Sequence, residues 1–408
     1  MEAREPSNLR GKSICLPCQS EAEYQTWVAD PQRFRQVLTQ MSTQHPELFP
    51  AAFSRGFTLH DSYTSVKQGL RLRRIKLRAT GEVFQVRPSL VMPYLGARTD
   101  ETEKALYLRQ WGVPFEALAY VFGRDPMFYY RAWVSLGRNS LVGTTVKSVA
   151  QLPADLLADE KHTWLGGDRH YVATTVGGGC FLGAEVVAEA STPALQAGYQ
   201  VFLTEARTVQ PDYQPGTVCT DGWPATREAW QLLVPTITLI LCFLHSILKI
   251  EARCRGALRH RVRQRAWHVY QAPTKVQFAQ RLRRLREWAS KHLEGAVQAT
   301  VLKLCELKDQ FSVAYDFPTA ARTTNGIDRL MDYQDRVLYQ MRYLHGTPDA
   351  ASLAVRAMAL QWNFHPYSVR AQSEGAKRSP FEALNGFQYH DNWLHNLLSA
   401  SSMGGRRL

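Results

Sequence analysis

The stretch Val218–Ile250, VCTDGWPATREAWQLLVPTITLILCFLHSILKI, decides how this chain reads. A short β-rich run over 217–221 ends on a lone carboxylate, Asp221. Pro224 then opens a helix over 224–233, since proline suits the first helical position. The apolar run 236–243 reads as a second, buried strand, and another helix starts at Leu244. Cys242-x-x-His245 closes the stretch.

Working outward, ADLLADEKHTW (154–164) reads as a strand carrying Asp159. GGDRHYVATTVGGG (166–179) and CFLGAEVVAEA (180–190) follow across Gly-rich turns as an antiparallel meander. A helix over 193–207 presents Leu195, Tyr199, Phe202 and Leu203 on one face. The order βββαβαβα is that of a ribonuclease-H-like mixed five-stranded α/β sheet, in which the first and fourth strands are neighbours. Asp159 and Asp221, 221 − 159 = 62 residues apart, then meet over the sheet. Two close carboxylates repel unless a divalent cation lies between them, and hard oxygen donors suit Mg²⁺ or Mn²⁺. A third acid completes a site for two such ions. Asp328, Asp332 and Asp335 share one helix face at i, i+4 and i+7, and the helix dipole favours Asp328 near the N-terminus. Glu160 points to the opposite face from Asp159, and Asp168 falls in a turn.

Composition narrows the partners. The 408 residues carry 49 − 36 = +13 charges, with a pI of about 9.5; such an excess points to a polyanion such as nucleic acid. The longest apolar run, 232–244, is broken by Pro235 and is too short to span a bilayer, so no membrane partner is expected. The first residues lack an apolar signal core, which predicts a cytoplasmic protein. Seven scattered cysteines suit a reducing compartment. Cys15-x-x-Cys18 has the spacing of half a zinc site, without a second close pair to complete it. The first dozen residues and the Gly-Gly-Arg-Arg-Leu end read as unordered.

Six regions follow along the chain. Residues 1–70 read as mostly helical, with helices over 21–29 and 32–41. Residues 71–145 begin with a hairpin at Thr80-Gly81, whose first arm carries Arg71, Arg73, Arg74, Lys76 and Arg78. Such an arm suits a phosphate backbone, or equally an edge strand blunted by charge. Three short helices come next, opened by a capping box at Asp100-x-x-Glu103, by Pro114 and by Asp125-Pro126. This is the outline of a DNA-binding helix-turn-helix with Arg124 and Arg131, or of an ordinary trihelical packing unit. Residues 150–250 form the first part of the core. Residues 251–316 are a basic all-helical insertion. Over 249–291 thirteen Lys or Arg face two Glu, with Arg281, Arg283, Arg284 and Arg286 on an amphipathic helix whose apolar side holds Val276, Phe278, Ala279, Leu282, Leu285 and Trp288. Residues 317–346 carry the third acid behind a cap at Thr323, Thr324 or Asn325, and 347–408 are helical, then loop-rich.

LLADEKHTW, VCTDGWPATREAW followed by CFLH, and ARTTNGIDRL together resemble the Mutator-like bacterial transposases with a DDE/D ribonuclease-H-like core, over roughly 152–346. The resemblance implies Asp159, Asp221 and Asp328 as catalytic ligands of two Mg²⁺ or Mn²⁺ ions. It places Cys242 and His245 after the fifth strand and Asn325 at the entry to the third-acid helix. His162 and Arg322 are further candidates for touching phosphate or orienting a ligand. That family usually has Glu as its third acid. Asp328 is one methylene shorter, so its helix must approach more closely, or Asp332 serves instead. The implied activity is cleavage and joining of double-stranded DNA at terminal inverted repeats and target sites, by a homodimer or larger assembly associated with the nucleoid. The competing expectations are a catalytically silent DNA-binding protein and a nuclease that does not join strands.

Overall fold

The computed structural model describes residues 12–93, 95–370, 372 and 377–406. The chain is a mixed α/β protein with two open sheets, of four and five strands. The expectation of unordered ends lies outside the described residues for 1–11 and for 407 and 408. Gly404 and Gly405, by contrast, are packed: Ser140 N–H donates to Gly404 O at 2.9 Å, and a Cβ on Gly405 would meet Thr144 Oγ1 at 2.3 Å.

The smaller sheet holds β1 (Ser13–Leu16), β2 (Phe57–Ser65), β3 (Leu70–Leu77) and β4 (Val83–Pro88) in the order β1-β4-β3-β2. Helices α1 (Glu21–Ala29) and α2 (Pro31–Gln44) start where Ser20 and Asp30 accept from backbone N–H groups, satisfying otherwise orphaned donors. The β3–β4 hairpin turns at Gly81, whose φ of +71° suits glycine. The reading of 1–70 as mostly helical missed β1 and β2. β2 is an edge strand in FTLHDSYTS with no fully buried position, so it lacks the apolar alternation that reveals a strand. Cys15 and Cys18 are both buried; burial pushes the Cys18 thiol up to about 12, and its Sγ donates to Ser20 O at 3.1 Å.

Helices α3 (Thr99–Arg109), α4 (Phe115–Phe122), α5 (Pro126–Leu136) and α6 (Leu141–Thr145) follow. The expected Asp100–Glu103 capping box does not form, because α3 begins at Thr99 and its N-cap is Arg98, two residues before Asp100. Both acids instead dock the helix Trp393–Ala400: Asp100 Oδ1 lies 2.9 Å from His395 Nε2, and Glu103 accepts from the Trp393 indole.

The larger sheet runs β7-β6-β5-β8-β9, with β5 (Asp155–Leu165), β6 (Asp168–Gly177), β7 (Cys180–Val187), β8 (Thr217–Thr220) and β9 (Thr238–Leu241). The first three strands are antiparallel; β8 and β9 run parallel to β5. Helices α7 (Thr192–Val209) and α8 (Pro224–Leu233) connect β7 to β8 and β8 to β9. Leu195, Tyr199, Phe202 and Leu203 are all buried on the sheet, as the sequence periodicity predicts. After β9 come α9 (Phe243–Glu251) and the insertion helices α10 (Gly256–Tyr270), α11 (Lys275–His292), α12 (Gly295–Glu306) and α13 (Lys308–Ser312). They enclose their own core around Phe278, Leu282 and Leu285. Val276, expected on that face, is 67% exposed, and Ala289 takes the buried position.

Helices α14 (Asn325–Gln340) and α15 (Pro348–Phe364) return to the main core. The largest buried cluster joins the small sheet, α5, α14, α15 and the helix Trp393–Ala400, so the N-terminal elements share one core with the end of the chain. Trp133 Nε1 donates to Gln361 Oε1 at 2.9 Å, fixing α5 on α15. Among the described residues, no helix is long and apolar enough to cross a membrane.

Candidate active site

Register brings Asp159 and Asp221 together. β5 and β8 pair as Asp155↔Thr217, Leu156↔Val218 and Leu157↔Cys219, an offset of 217 − 155 = 62. The two acids are separated by the same 62 positions. They therefore occupy equivalent places on one face of neighbouring parallel strands, which lie about 4.8 Å apart. β8 and β9 pair with an offset of 238 − 217 = 21, so Cys242, at 221 + 21, continues the row. Continued one residue past the ends of β8 and β9, the row is Asp159, Asp221, Cys242.

Helix α14 lies over the same face of β5. A Cβ on Gly326 would meet Leu157 Cδ1 at 3.0 Å, and two turns on Asp335 pairs with Lys161. From Leu157 to Lys161 the strand rises about 13 Å; from Gly326 to Asp335 the helix rises about 13.5 Å. The two run side by side, and Asp328 falls between their contacts, next to Asp159. Of the three acids on that helix face, Asp335 is engaged by Lys161, Asp332 is exposed, and Asp328 is half-buried.

Cys242 anchors the start of this helix. Its Sγ accepts from Thr324 N–H at 3.1 Å and lies 3.2 Å from Thr324 Oγ1, which is also 3.3 Å from His245 Nδ1. Thr324 is the residue before α14 and is fully buried, but its hydroxyl faces Cys242 and His245 and makes no bond within its own helix. The Cys-x-x-His pair thus holds the helix bearing Asp328, as well as the one it opens.

Charge crowding shows in the titration of these groups. Burial and then the Asp221 charge push Asp159 up to about 6, with a smaller push from Asp328. Asp328 is raised by burial, against the pull of His245. His245 is raised by its hydrogen bond to Cys242, and the Asp159 and Asp221 charges add to the shift. Cys242 is lowered chiefly by Cys219, with His245 and Thr324 adding to it. On the reverse face Glu160 accepts from Tyr199 (2.5 Å) and Thr226 (2.6 Å), away from the acids, and Asp168 is exposed at the β5–β6 turn. Asp155 shares the face of Asp159, but Thr217 and Thr319 occupy its two oxygens.

The donor set suits a hard cation. Asp159 Oδ1 accepts from Glu160 N–H and Asp221 Oδ1 from Trp223 N–H, both at 2.8 Å. The second oxygen of each, and both of Asp328, have no hydrogen-bond partner among the described residues. Carboxylate oxygens carrying excess negative charge fit Mg²⁺ or Mn²⁺. Among the described residues no group of three or more His, Cys, Asp or Glu is placed to hold a metal ion; the acids adjoin one another without forming a closed shell.

The supporting candidates are dispersed. His162 is exposed on the reverse face, its ring centroid 4.8 Å from that of Tyr171. Asn325 is exposed at the first turn of α14. Arg322 is clasped by the insertion, donating at 2.6 Å to Tyr270 O and Tyr315 Oη and lying over both rings. The five basic residues of the arm, four in β3 and Arg78 just after it, do not form one exposed stripe. Arg73 is buried, its Nε donating to Val28 O at 2.9 Å. Arg71 bonds Ser62, Arg74 pairs with Asp61, and Lys76 and Arg78 are exposed. Arg131 is exposed on α5, and Arg124 is paired with Glu101. In α11, Arg281 bonds His268 O, Arg283 lies 3.5 Å from Glu287, and Arg284 and Arg286 are exposed. Sequence reasoning read Thr324 only as a helix cap and passed over the cations around Asp221, among them Arg227, Lys249 and Lys303. Only the spacing of Lys249, one turn beyond His245, signalled any of them.

No protein-family model matches the chain, and no curated protein is significantly similar to it.

Proposed function

We propose that this protein is a DNA transposase of the DDE/D type with a ribonuclease-H-like core. The observation that carries this reading is the shared offset of 62, which sets Asp159 beside Asp221 under the helix bearing Asp328. The strand order, with three antiparallel strands and two parallel ones added beside the first, supports it.

In this reading the three carboxylates hold two divalent cations. When bound, those ions supply the charge that promotes attack of water or a 3′-hydroxyl on a phosphodiester and departure of the leaving oxygen. Cys242 and His245 fix the depth of Asp328 through Thr324, so the shorter acid is brought to the site by the placement of its helix. The exposed arginines of α5 and α11 attract the DNA backbone, and α3–α5 read the terminal repeats. A dimer or larger assembly then brings two ends together on the nucleoid.

The test uses DNA taken from either side of the gene. With Mg²⁺ or Mn²⁺, the protein should nick that DNA at a fixed position and join pre-cut ends to a target plasmid. Asp159→Asn and Asp221→Asn should each lose both activities and still bind DNA. Nicking that survives in either variant refutes the assignment; nicking without joining leaves a nuclease.

A further inference from the structure

Beside Asp221, the core and the helical insertion enclose a cleft of about 550 Å³. Its core wall includes Gly222, Arg227 of α8 and Lys249 of α9; its insertion wall includes Thr300 and Lys303 of α12 and Gln310 of α13. Four cations line it, Arg227, Lys249, Arg253 and Lys303, and Asp221 is the one acid among the lining residues. Nearby Arg259 and Arg263 are both paired with Glu251, but these four form no ion pair among the described residues. Arg227 uses one nitrogen on Gln310 Oε1 (2.6 Å), and Arg253 one on Lys249 O (3.2 Å). Leu241 and Leu304 add apolar surface.

Unpaired cations facing one another across a cleft repel and gain from an anion between them. The volume falls within the range of small-ligand sites. It accommodates a nucleotide or two and excludes a duplex. Cationic walls with an apolar floor suit an unpaired strand, whose backbone follows the charge while its base covers the leucines. Asp221 lines the same cleft, so a phosphate held by these cations lies beside that acid.

We propose that this cleft receives an unpaired nucleotide of the DNA strand whose phosphodiester lies at Asp221, with its phosphates on Arg227, Lys249 and Lys303. The inference rests on the reading of Asp221 as part of the active site. It adds that the DNA must be unpaired by at least one nucleotide beside the bond that is cut, and that the insertion grips it through α12.

The test measures binding without cleavage, in the full-length Asp159→Asn protein. Fluorescence anisotropy compares a forked DNA bearing a short single-stranded arm with the matching duplex. The fork should bind about tenfold more tightly. Lys249→Glu with Lys303→Glu should abolish that preference and lower the salt slope by about 1.4, the value for two lost single-strand phosphate contacts. Lys249→Arg with Lys303→Arg should retain it. Unchanged fork affinity and salt slope in the glutamate pair overturn the proposal. Should that pair fail to fold, Thr300→Cys decides. The seven native cysteines are all buried, so the new thiol should crosslink to a disulfide-activated tether on the unpaired nucleotide and not on a paired one. Equal crosslinking to both, or none, also overturns it. A protein that grips forked DNA here but never cuts any DNA refutes the transposase reading and leaves the cleft standing.

Discussion

Replacing Thr324 with valine keeps the shape of a fully buried side chain and removes only its hydroxyl. The backbone N–H to Cys242 Sγ at 3.1 Å survives; the contacts to Cys242 at 3.2 Å and His245 at 3.3 Å are lost. A typical hydrogen bond contributes about 1 kcal/mol net, sulfur is a weak partner, and 3.3 Å is long. The sum is about 1–2 kcal/mol. Because these bonds tie the start of α14 to the start of α9, the loss should appear there first. Amides of the first two turns of α14 should exchange with deuterium about tenfold faster, the factor for 1.4 kcal/mol, while those of β5 and β6 hold their rates. DNA cleavage should fall further, about 100-fold, since a displacement near 1 Å of a reacting group costs that much. Thr324→Ser, which keeps the hydroxyl, should restore most of both. Exchange in α14 that stays at the wild-type rate, or a valine variant that cleaves normally, refutes the argument that this hydroxyl sets the position of Asp328.

Three other outcomes test separate parts of the structure. Burial lowers His365 to about 4, below its unfolded value near 6.5, so the folded state resists protonation: its stability is full above pH 6.5 and falls as pH drops toward 4. The difference, 2.5 × 1.36, is at most about 3 kcal/mol; urea unfolding from pH 7 to 4 should show that loss in the wild type and a smaller one in His365→Phe, where the ring still stacks on Tyr107. Arg73→Ala should cost about 2 kcal/mol in urea unfolding, the worth of a buried charged hydrogen bond, and leave the salt slope of DNA binding unchanged; a reduced slope shows that Arg73 reaches phosphate after all. In Gly137→Ala the new Cβ would sit 2.0 Å from Leu353 O of α15, so stability should drop by about 3 kcal/mol. A neutral result in unfolding experiments would mean that α5 and α15 part easily.

The larger sheet was legible because its strands obey local rules. Gly-rich turns bound β5, β6 and β7, Pro224 starts α8, and 236–243 is apolar but for two threonines, so the elements and the pairing of Asp159 with Asp221 can be read from the sequence. What escaped depends on contacts distant in the chain. Asp100 and Glu103 look like a capping box, yet their partners His395 and Trp393 lie 295 and 290 residues away. The arm Arg71–Arg78 reads as one basic stripe, but Arg73 lies buried with its Nε donating to Val28 O, and a charged residue there carries no sign of burial. Thr324 reads as a helix cap, and its actual partners, Cys242 and His245, appear only once the starts of α9 and α14 are brought together. Asp328 could not be separated from Asp332 and Asp335 by spacing; Lys161 separates them, by engaging Asp335 and leaving the helix start over Asp159.

Helix α14 also explains why the N-terminal elements and the acids form one mechanical unit. Its start is tied to the start of α9 through Thr324 and its middle to β5 through Asp335. Its last turns are held by Arg109 of α3, a fully buried guanidinium that donates to Val113 O at 3.0 Å and to Val337 O at 3.4 Å between the rings of Phe115 and Trp133. Burial brings this arginine down to about 10, still charged at neutral pH. Losing its partners would strand that charge inside the core, which costs about 1–3 kcal/mol or more. A shift of α3 must therefore carry the end of α14 with it or break this contact. The helices α3–α5 are accordingly seated in the same core that sets Asp328, and the geometry of the acids depends on the packing of a region far from them in sequence.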